Sequence, residues 1–457
     1  MTGTTLGPRE GRARIGDPDP GVDQAPRVCV RQLPRFRQLR PEVRRALEAA
    51  QEFAAPSPIY AVGGYVRDLL LGLKTLDVDL VVEGDAIAAA RHLGQSLKVA
   101  VRPHPRFGTA RLRLPEGITL DLATARSERY LESGALPEVR PAALIADLAR
   151  RDFSINAIAA RVGRDRFGPL IDPFGGCEDL RRGQVRVLHD RSFIDDPTRI
   201  FRAARFEARY RFAIARETMR LIKAAVRGRV MRDLAGSRIF TELVLISREP
   251  SAPRAIRRLS DLGVFAAVHP ELVELPPVSG LLDRMRRVLT RLHQLPPRQS
   301  PARGEVYFLG ILSLLHPRTA AAVIRKLDPP RQIAAKLTAD LNACRKAARR
   351  LARAVDLRQS RIASLLDPLS PEARVLLLTT LARGSSRKAV SKYLTHSWRI
   401  VPVLRGEDLR RLGFHPGPIY RIIFATLRSA KLNGRLRTRQ DEVSFVLRRF
   451  ARRRLQD

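Results

Sequence analysis

Two adjoining segments decide the reading: Ile59-Tyr-Ala-Val-Gly-Gly-Tyr-Val-Arg-Asp-Leu-Leu-Leu-Gly72 and Thr75-Leu-Asp-Val-Asp-Leu-Val-Val-Glu83. Ile59–Val62 is a short strand-like run stopped by Gly63-Gly64. A helix is expected from Tyr65 to about Leu71, and 75–83 alternates as a strand does. Asp77 and Asp79 stand two residues apart, so on a strand both carboxylates point to one face. Like charges so placed repel unless a cation lies between them, and Mg²⁺ takes one or two carboxylates along with substrate phosphates. Such metals activate an attacking hydroxyl and stabilise a leaving oxygen. A solvated strand face would present the same pair. Gly63 and Gly64 permit close backbone approach, the helix start offers N–H groups to phosphate, and Arg67 adds a charge-assisted contact. A tight turn is the plainer reading of the glycines. The order strand, Gly-Gly, helix, strand is more specific than either piece.

Working outward, residues 1–30 are rich in Gly, Pro, Asp and Arg without hydrophobic periodicity, as in a disordered leader. Pro41–Phe53 reads as a helix with proline in its first turn. Asp85–Leu93 looks helical, and Arg111–Leu114 and Thr119–Thr124 form a hairpin pair around Pro115-Glu-Gly117. Asp121 on the second of these strands is either a third carboxylate or a surface acid. Strands mixed with helices over 31–165 indicate an α/β or α+β head, and α+β with a mixed sheet is the class expected. Helical periodicity dominates afterwards, at Pro197–Arg209, Arg216–Arg227, Ser237–Ser247 and from Ser370 to a closing Gly384. Two helical segments are expected, over 166–250 and over 251–457. Proline-rich breaks at Leu275–Pro277 and Leu295–Pro301 mark loops, and Arg448–Arg454 forms a basic tail.

The 457 residues carry 84 Lys plus Arg against 46 Asp plus Glu, a net charge of +38, with 75 Arg and 9 Lys. Such a surplus attracts polyanions, nucleic acid foremost. A composition of 44% apolar and 28% charged residues excludes collagen, a wholly disordered chain and a disulfide-stapled mini-protein. Cys29, Cys177 and Cys344 give neither a disulfide framework nor a zinc-binding pair. The first residues lack a secretory apolar core, and no run approaches a membrane span of about 20 residues. A cytoplasmic protein with no membrane partner is expected.

Further motifs follow in order. They are Arg150-Arg-Asp-Phe-Ser-Ile-Asn-Ala157, Asp172-Pro-Phe-Gly-Gly176 with Asp179-Leu180, Asp195-Asp-Pro-Thr-Arg-Ile-Phe-Arg-Ala-Ala-Arg-Phe206, and Gly236-Ser-Arg-Ile239 with Glu242-Leu243. Together with GGYVRDLLLG and LDVDLVVEG, they resemble the motifs of the class II tRNA nucleotidyltransferase and poly(A) polymerase family, within the polymerase-β-like superfamily. The resemblance spans about residues 57–250. It implies a polymerase-β-like nucleotidyltransferase head followed by an all-helical neck, body and tail that bind tRNA.

The implied activity is template-independent addition of CCA to the tRNA 3′ end from CTP and ATP, with release of pyrophosphate. A-only addition and poly(A) synthesis are the alternatives, and a non-catalytic RNA-binding protein is a remote one. Asp77 and Asp79 would hold Mg²⁺ as the catalytic pair. Arg150 and Arg151 would contact sugar or phosphates, and Asp152 would hold the ribose or orient the arginines. Asp196, Arg199, Arg202 and Arg205 step by three, as on one helical face. In the family this stripe selects the base: an acceptor-only carboxylate meets the exocyclic amine of C or A, and donor-only arginines meet ring acceptors. Read without the family, it is an ordinary basic face. Position 195 is Asp where many members have Glu, and no acid precedes Arg238. Thr124–Pro137 resembles the family's flexible loop, associated with adding the terminal A and shortened in CC-only enzymes. Gly406–Pro418 resembles the helical tail.

Overall fold

The computed structural model describes residues 32–54, 57–129, 138–232, 234–272, 278–292 and 300–451. The expected leader, residues 130–137 of the 124–137 segment, the break at 275–277, residues 295–299 and the end of the basic tail lie outside them. Two compact units are distinguished. One holds the chain to Ala125 together with Ala142–Arg186 and Tyr210–Ala215; the other holds Arg126–Pro141, Val187–Arg209 and Arg216 onward.

The first unit is built on a seven-stranded mixed sheet. Its strands begin with β1 (Ile59–Val62), β2 (Asp77–Val82), β3 (Val101–His104), β4 (Thr109–Arg113) and β5 (Thr119–Thr124). β6 (Arg126–Arg129) and β7 (Glu138–Pro141) pair only with each other, in the second unit. β8 (Ala159–Val162) and β9 (Phe167–Ile171) complete the large sheet, in the spatial order β3-β4-β5-β2-β1-β8-β9. β2 and β5 run parallel; the other neighbours run antiparallel.

Alternation gives the central strands two chemically different faces. Val78, Leu80, Leu112, Leu120 and Leu122 are buried on one, while Asp77, Asp79, Arg111 and Asp121 project from the other. Helix α1 (Pro41–Phe53) starts with proline at its first position and buries Val43, Ala46, Leu47 and Ala50. α2 (Gly63–Leu70) begins at the end of β1. α3 (Ala86–Leu97) is capped by Asp85, whose carboxylate accepts from the Ile87 and Ala88 N–H groups, and it ends at Lys98 in the left-handed conformation. α3 packs on α1 and against β4 and β5, burying Ala89, Ala90 and Leu93. A fully buried leucine such as Leu93 contributes roughly 1.5–3 kcal/mol. The apolar face is thus sealed by helices.

The sheet runs past the expected boundary at 165. β9 contains Gly168-Pro169, which argues against a central strand; as the edge strand it leaves proline's missing N–H without consequence. α4 (Leu144–Ala149) and α5 (Gly176–Arg182) also belong to this unit, as does the parallel pair β10 (Gln184–Val185) and β11 (Ala213–Ile214). The expected neck therefore contains strands, too short for periodicity to reveal.

The second unit is mainly helical, opening with α6 (Ser192–Asp195), α7 (Arg199–Tyr210, its last residue in the first unit), α8 (Arg216–Arg227) and α9 (Gly236–Arg248). Ser370 caps its helix as expected, accepting from the Ala373 N–H, but that helix stops at Thr380. The Thr379 and Thr380 hydroxyls bond back to carbonyls of the preceding turn, competing with continuation. Gly384 heads the next helix, Ser385–Thr395, instead of closing this one. Leu404, Leu409, Phe414, Ile423, Leu427, Val446 and Phe450 form a separate core near the C-terminus. No described helix is long and apolar enough to cross a membrane, and Cys177 and Cys344 are free thiols.

Candidate active site

The parallel pairing of β2 with β5 sets Asp79 in register with Asp121. Three carboxylates therefore share the polar face of the sheet. Asp77 is exposed at the first position of β2, its N–H bonded to the Thr75 hydroxyl at 3.2 Å. Asp121 is gripped by Arg111 from β4, whose Nε and Nη2 donate to its two oxygens at 2.6 and 2.8 Å. Asp79 is half-buried and its carboxyl is pushed up to about 6. Burial is the first cause; Asp121 and Asp77 add repulsion, against a partly compensating pull from Arg151 and Arg67.

This donor set suits a hard cation. Among the described residues no three His, Cys, Asp or Glu side chains form a metal cage, so a closed structural zinc site does not fit. Two carboxylates on one strand face, with water and substrate phosphate completing the shell, is the arrangement Mg²⁺ accepts. Positive charge there would also relieve the repulsion at Asp79.

The Gly-Gly turn lies against the same face. A methyl group on Gly64 would sit 3.7 Å from Asp79 Oδ2 and 3.4 Å from Arg67 Nη2. Gly63 has φ +64°, and a methyl there would come within 2.5 Å of Arg151 Nη1. The glycines thus bring α2, Asp79 and two arginines together. Arg67 is buried, its Nε donating to Asp68 at 2.9 Å and its Nη1 to the Asn156 side-chain oxygen at 2.5 Å. It also stacks over the Tyr210 ring, whose hydroxyl donates to Asp68 at 3.0 Å. The arginine expected to face phosphate is thus part of a buried network.

Arg150 and Arg151 close on Asp147, a fully buried carboxylate, with Nη2 atoms at 2.6 and 2.9 Å from its two oxygens. Burial pushes the Asp147 carboxyl up, but Arg151 and Arg150 outweigh it and hold the group below its ordinary value. Asp152 accepts from the Phe153 N–H and the Asn156 amide, both at 2.9 Å. It fixes Asn156, which in turn receives Arg67.

In the second unit the expected stripe is not one helical face. Asp196 lies in extended backbone before α7, and its Oδ1 accepts from Thr198 N–H and hydroxyl and from Arg238 Nη2 at 2.9 Å. Pro197 follows it and keeps its backbone out of the helical region. Arg199 is buried, with Nη1 donating to the Ser192 hydroxyl at 2.6 Å. Arg202 and Arg205 are half-buried, both over the Phe206 ring. Arg205 also lies 3.9 Å from Glu249.

Five participants escaped the sequence reading: Arg111, Asp147, Asn156, Tyr210 and Arg238. Asn156 and Arg238 lie inside quoted motifs, so their signal was present. Arg111 needed the strand register, and Asp147 stands three and four residues before the arginines it binds, a spacing that marks helical ion pairs.

The family model described as Poly A polymerase head domain matches residues 59–186, and the one described as Probable RNA and SrmB-binding site of polymerase A matches 211–275. An A-adding tRNA nucleotidyltransferase of Geobacter sulfurreducens is 40% identical over 400 residues, covering 86% of this chain and 45% of its own length. One of Halalkalibacterium halodurans is 32% identical, covering 85% of this chain and 88% of its own length. The chain thus spans less than half of the Geobacter relative. The structure of the Thermotoga maritima CCA-adding enzyme complexed with tRNA-CCA superposes with a TM-score of 0.67 at 29% identity, covering 90% of this chain and 96% of that one.

Proposed function

Because this chain belongs to the tRNA nucleotidyltransferase family, we propose that it adds adenosine to tRNA ending in CC, using ATP. The terminal 3′ oxygen of the RNA bonds to the α-phosphorus while the bond to the bridging β-phosphate oxygen breaks, and pyrophosphate leaves. The observation that carries the chemistry is the carboxylate face of β2, with Asp79 beside the Gly64 backbone. Asp77 and Asp79 would hold Mg²⁺, which supplies charge neutralisation at the reacting phosphate and lowers the cost of ionising the 3′-hydroxyl. Asp121, oriented by Arg111, stands on that face beside Asp79. Gly63 and Gly64 leave room for the triphosphate at the start of α2.

Arg151, aligned by Asp147, would meet phosphate or sugar, and Arg150 shares the clamp. Arg67 and Asp152 serve as positioning residues through Asn156. Asp196 is proposed to accept from the exocyclic amine of the base, with Arg199, Arg202 and Arg205 as the accompanying donors. A site built on such complementary bonds rejects a base with the reverse pattern strongly. Relatives named A-adding support ATP as donor. The likeness to the Thermotoga CCA-adding structure favours a second reading, complete CCA addition from CTP and ATP.

The test gives purified protein and Mg²⁺ three transcripts: one without CCA, one ending in CC and one ending in CCA. Labelled ATP and CTP are supplied separately and together. One A added to the CC-ended tRNA alone supports the first reading. Two C and then one A on the unfinished tRNA supports the second. Long A tails would identify a poly(A) polymerase, and no incorporation would overturn nucleotidyl transfer.

A further inference from the structure

Glu83 follows β2 directly, at the opposite end of the strand from Asp77. It is half-buried, and both of its carboxylate oxygens are engaged. Oε1 accepts from the Leu144 N–H at 2.7 Å, and Oε2 from the Tyr60 hydroxyl at 3.2 Å. Its own N–H donates to the Pro58 carbonyl at 3.0 Å. No described cation forms an ion pair with it. Spending a half-buried carboxylate on one backbone N–H and one phenol costs stability unless placing those groups matters. Leu144 is the first residue of α4, and Ala143 before it has no side chain that could cap the helix. Glu83 supplies the missing acceptor from the end of another element.

We infer that Glu83 is a positioning residue for capture of the nucleotide phosphates: it fixes the start of α4, and through α4 the Asp147 carboxylate that aligns Arg151. The inference rests on the nucleotidyl-transfer reading. α4 has six residues, too few to hold a helix without outside contacts. Asp147 stands three residues after Leu144, close to one turn, so a shift of that turn reaches its carboxylate. Asp147 takes Arg150 and Arg151. Arg151 Nη1 then donates to the Asn156 carbonyl at 3.3 Å, beside Gly63. Backbone bonds tie the same corner: the Ala125 N–H donates to the Val82 carbonyl at 2.8 Å, and the Ala142 N–H to the Ala125 carbonyl at 2.9 Å. Four residues of extended chain, about 13 Å, separate Asp79 from Glu83. One strand therefore carries the carboxylates of the site at its start and sets its arginine pair from its end.

The test is steady-state A addition to CC-ended tRNA, with equilibrium ATP binding, by the full chain and by Glu83→Ala, Glu83→Gln and Glu83→Asp. Glu83→Ala should raise the KM for ATP about tenfold, the scale of one charge-assisted phosphate contact, and leave the KM for tRNA unchanged. Gln keeps an acceptor for the Leu144 N–H and can donate to the Tyr60 oxygen, so it should restore the KM for ATP. Hydrogen exchange over 144–151 should quicken in Glu83→Ala and not in Glu83→Gln. Should Glu83→Ala unfold, Glu83→Asp, still charged but one methylene shorter, must raise the KM for ATP above that of Glu83→Gln. Equal effects on both substrates, no effect on either, or a Gln variant as impaired as Ala would overturn the inference. ATP binding that responds as expected in a chain that incorporates no nucleotide would instead strike the nucleotidyl-transfer reading.

Discussion

Replacing Asp79 by Asn should stabilise the head while abolishing catalysis. The Asp79 carboxyl ionises at about 6 in the folded chain against an ordinary 3.8. The folded state therefore binds this proton more tightly than the unfolded state. The stability it confers is full below 3.8 and is lost as pH rises to about 6. At 1.36 kcal/mol per unit, the penalty at neutral pH is at most about 3 kcal/mol. Partial solvent access reduces it to about 1–2 kcal/mol. Asn never ionises and escapes the penalty. The assay is hydrogen exchange of β2 and β5 in metal-free protein, read through a urea series. Asp79→Asn should be more protected at pH 7.5, and the gap should close on acidification. Saturating Mg²⁺ should stabilise only the unmodified chain. A variant equally or less protected at pH 7.5 without metal would mean that ionised Asp79 carries no such penalty.

Other substitutions test other joints. Gly63→Ala puts a side chain at φ +64° and 2.5 Å from Arg151 Nη1. It should lower kcat/KM for ATP about a hundredfold in steady-state assays, the scale of a misplacement near 1 Å. Gly236→Ala would bring a methyl within 1.8 Å of the Lys326 carbonyl oxygen, so a thermal melt should drop by about 2–3 kcal/mol. Gly417→Ala, with nothing within 4 Å, should be nearly silent. Glu442 is fully buried and accepts from the Val403 and Leu404 N–H groups and Lys431. Burial pushes its carboxyl up, but those donors outweigh burial and hold it below its ordinary 4.5. Its contribution is present above that pH and lost on acidification. Glu442→Gln leaves the Lys431 cation without its partner and should cost about 3 kcal/mol. Hydrogen exchange over 404–450 measures that loss.

The head was legible where chemistry repeats at short range. Ile59–Val62, the 75–83 alternation and the 119–124 run each signalled a strand, and the Asp77/Asp79 pair needed only the pleat. What joins them was not legible. That Asp121 stands beside Asp79 follows from a parallel register between strands more than thirty residues apart, which turn chemistry cannot fix. Arg67 carries the charge of a phosphate ligand, yet burial against Asp68, Asn156 and Tyr210 makes it a fastener. The step of three from Asp196 to Arg205 suggested a continuous stripe, but Pro197 places the helix start after Asp196. Proline also concealed β9, because its cost vanishes at a sheet edge.

Metal-dependent nucleotidyl transfer at Asp77 and Asp79 is open to a direct measurement. Labelled ATP and CC-ended tRNA are given to the unmodified chain and to Asp77→Ala, each with Mg²⁺ or with EDTA. The unmodified chain should incorporate A with Mg²⁺ and lose that signal in EDTA. Asp77→Ala should lose it as well while still binding tRNA. Undiminished turnover by folded Asp77→Ala, or incorporation that persists in EDTA, would contradict metal-dependent transfer at this pair.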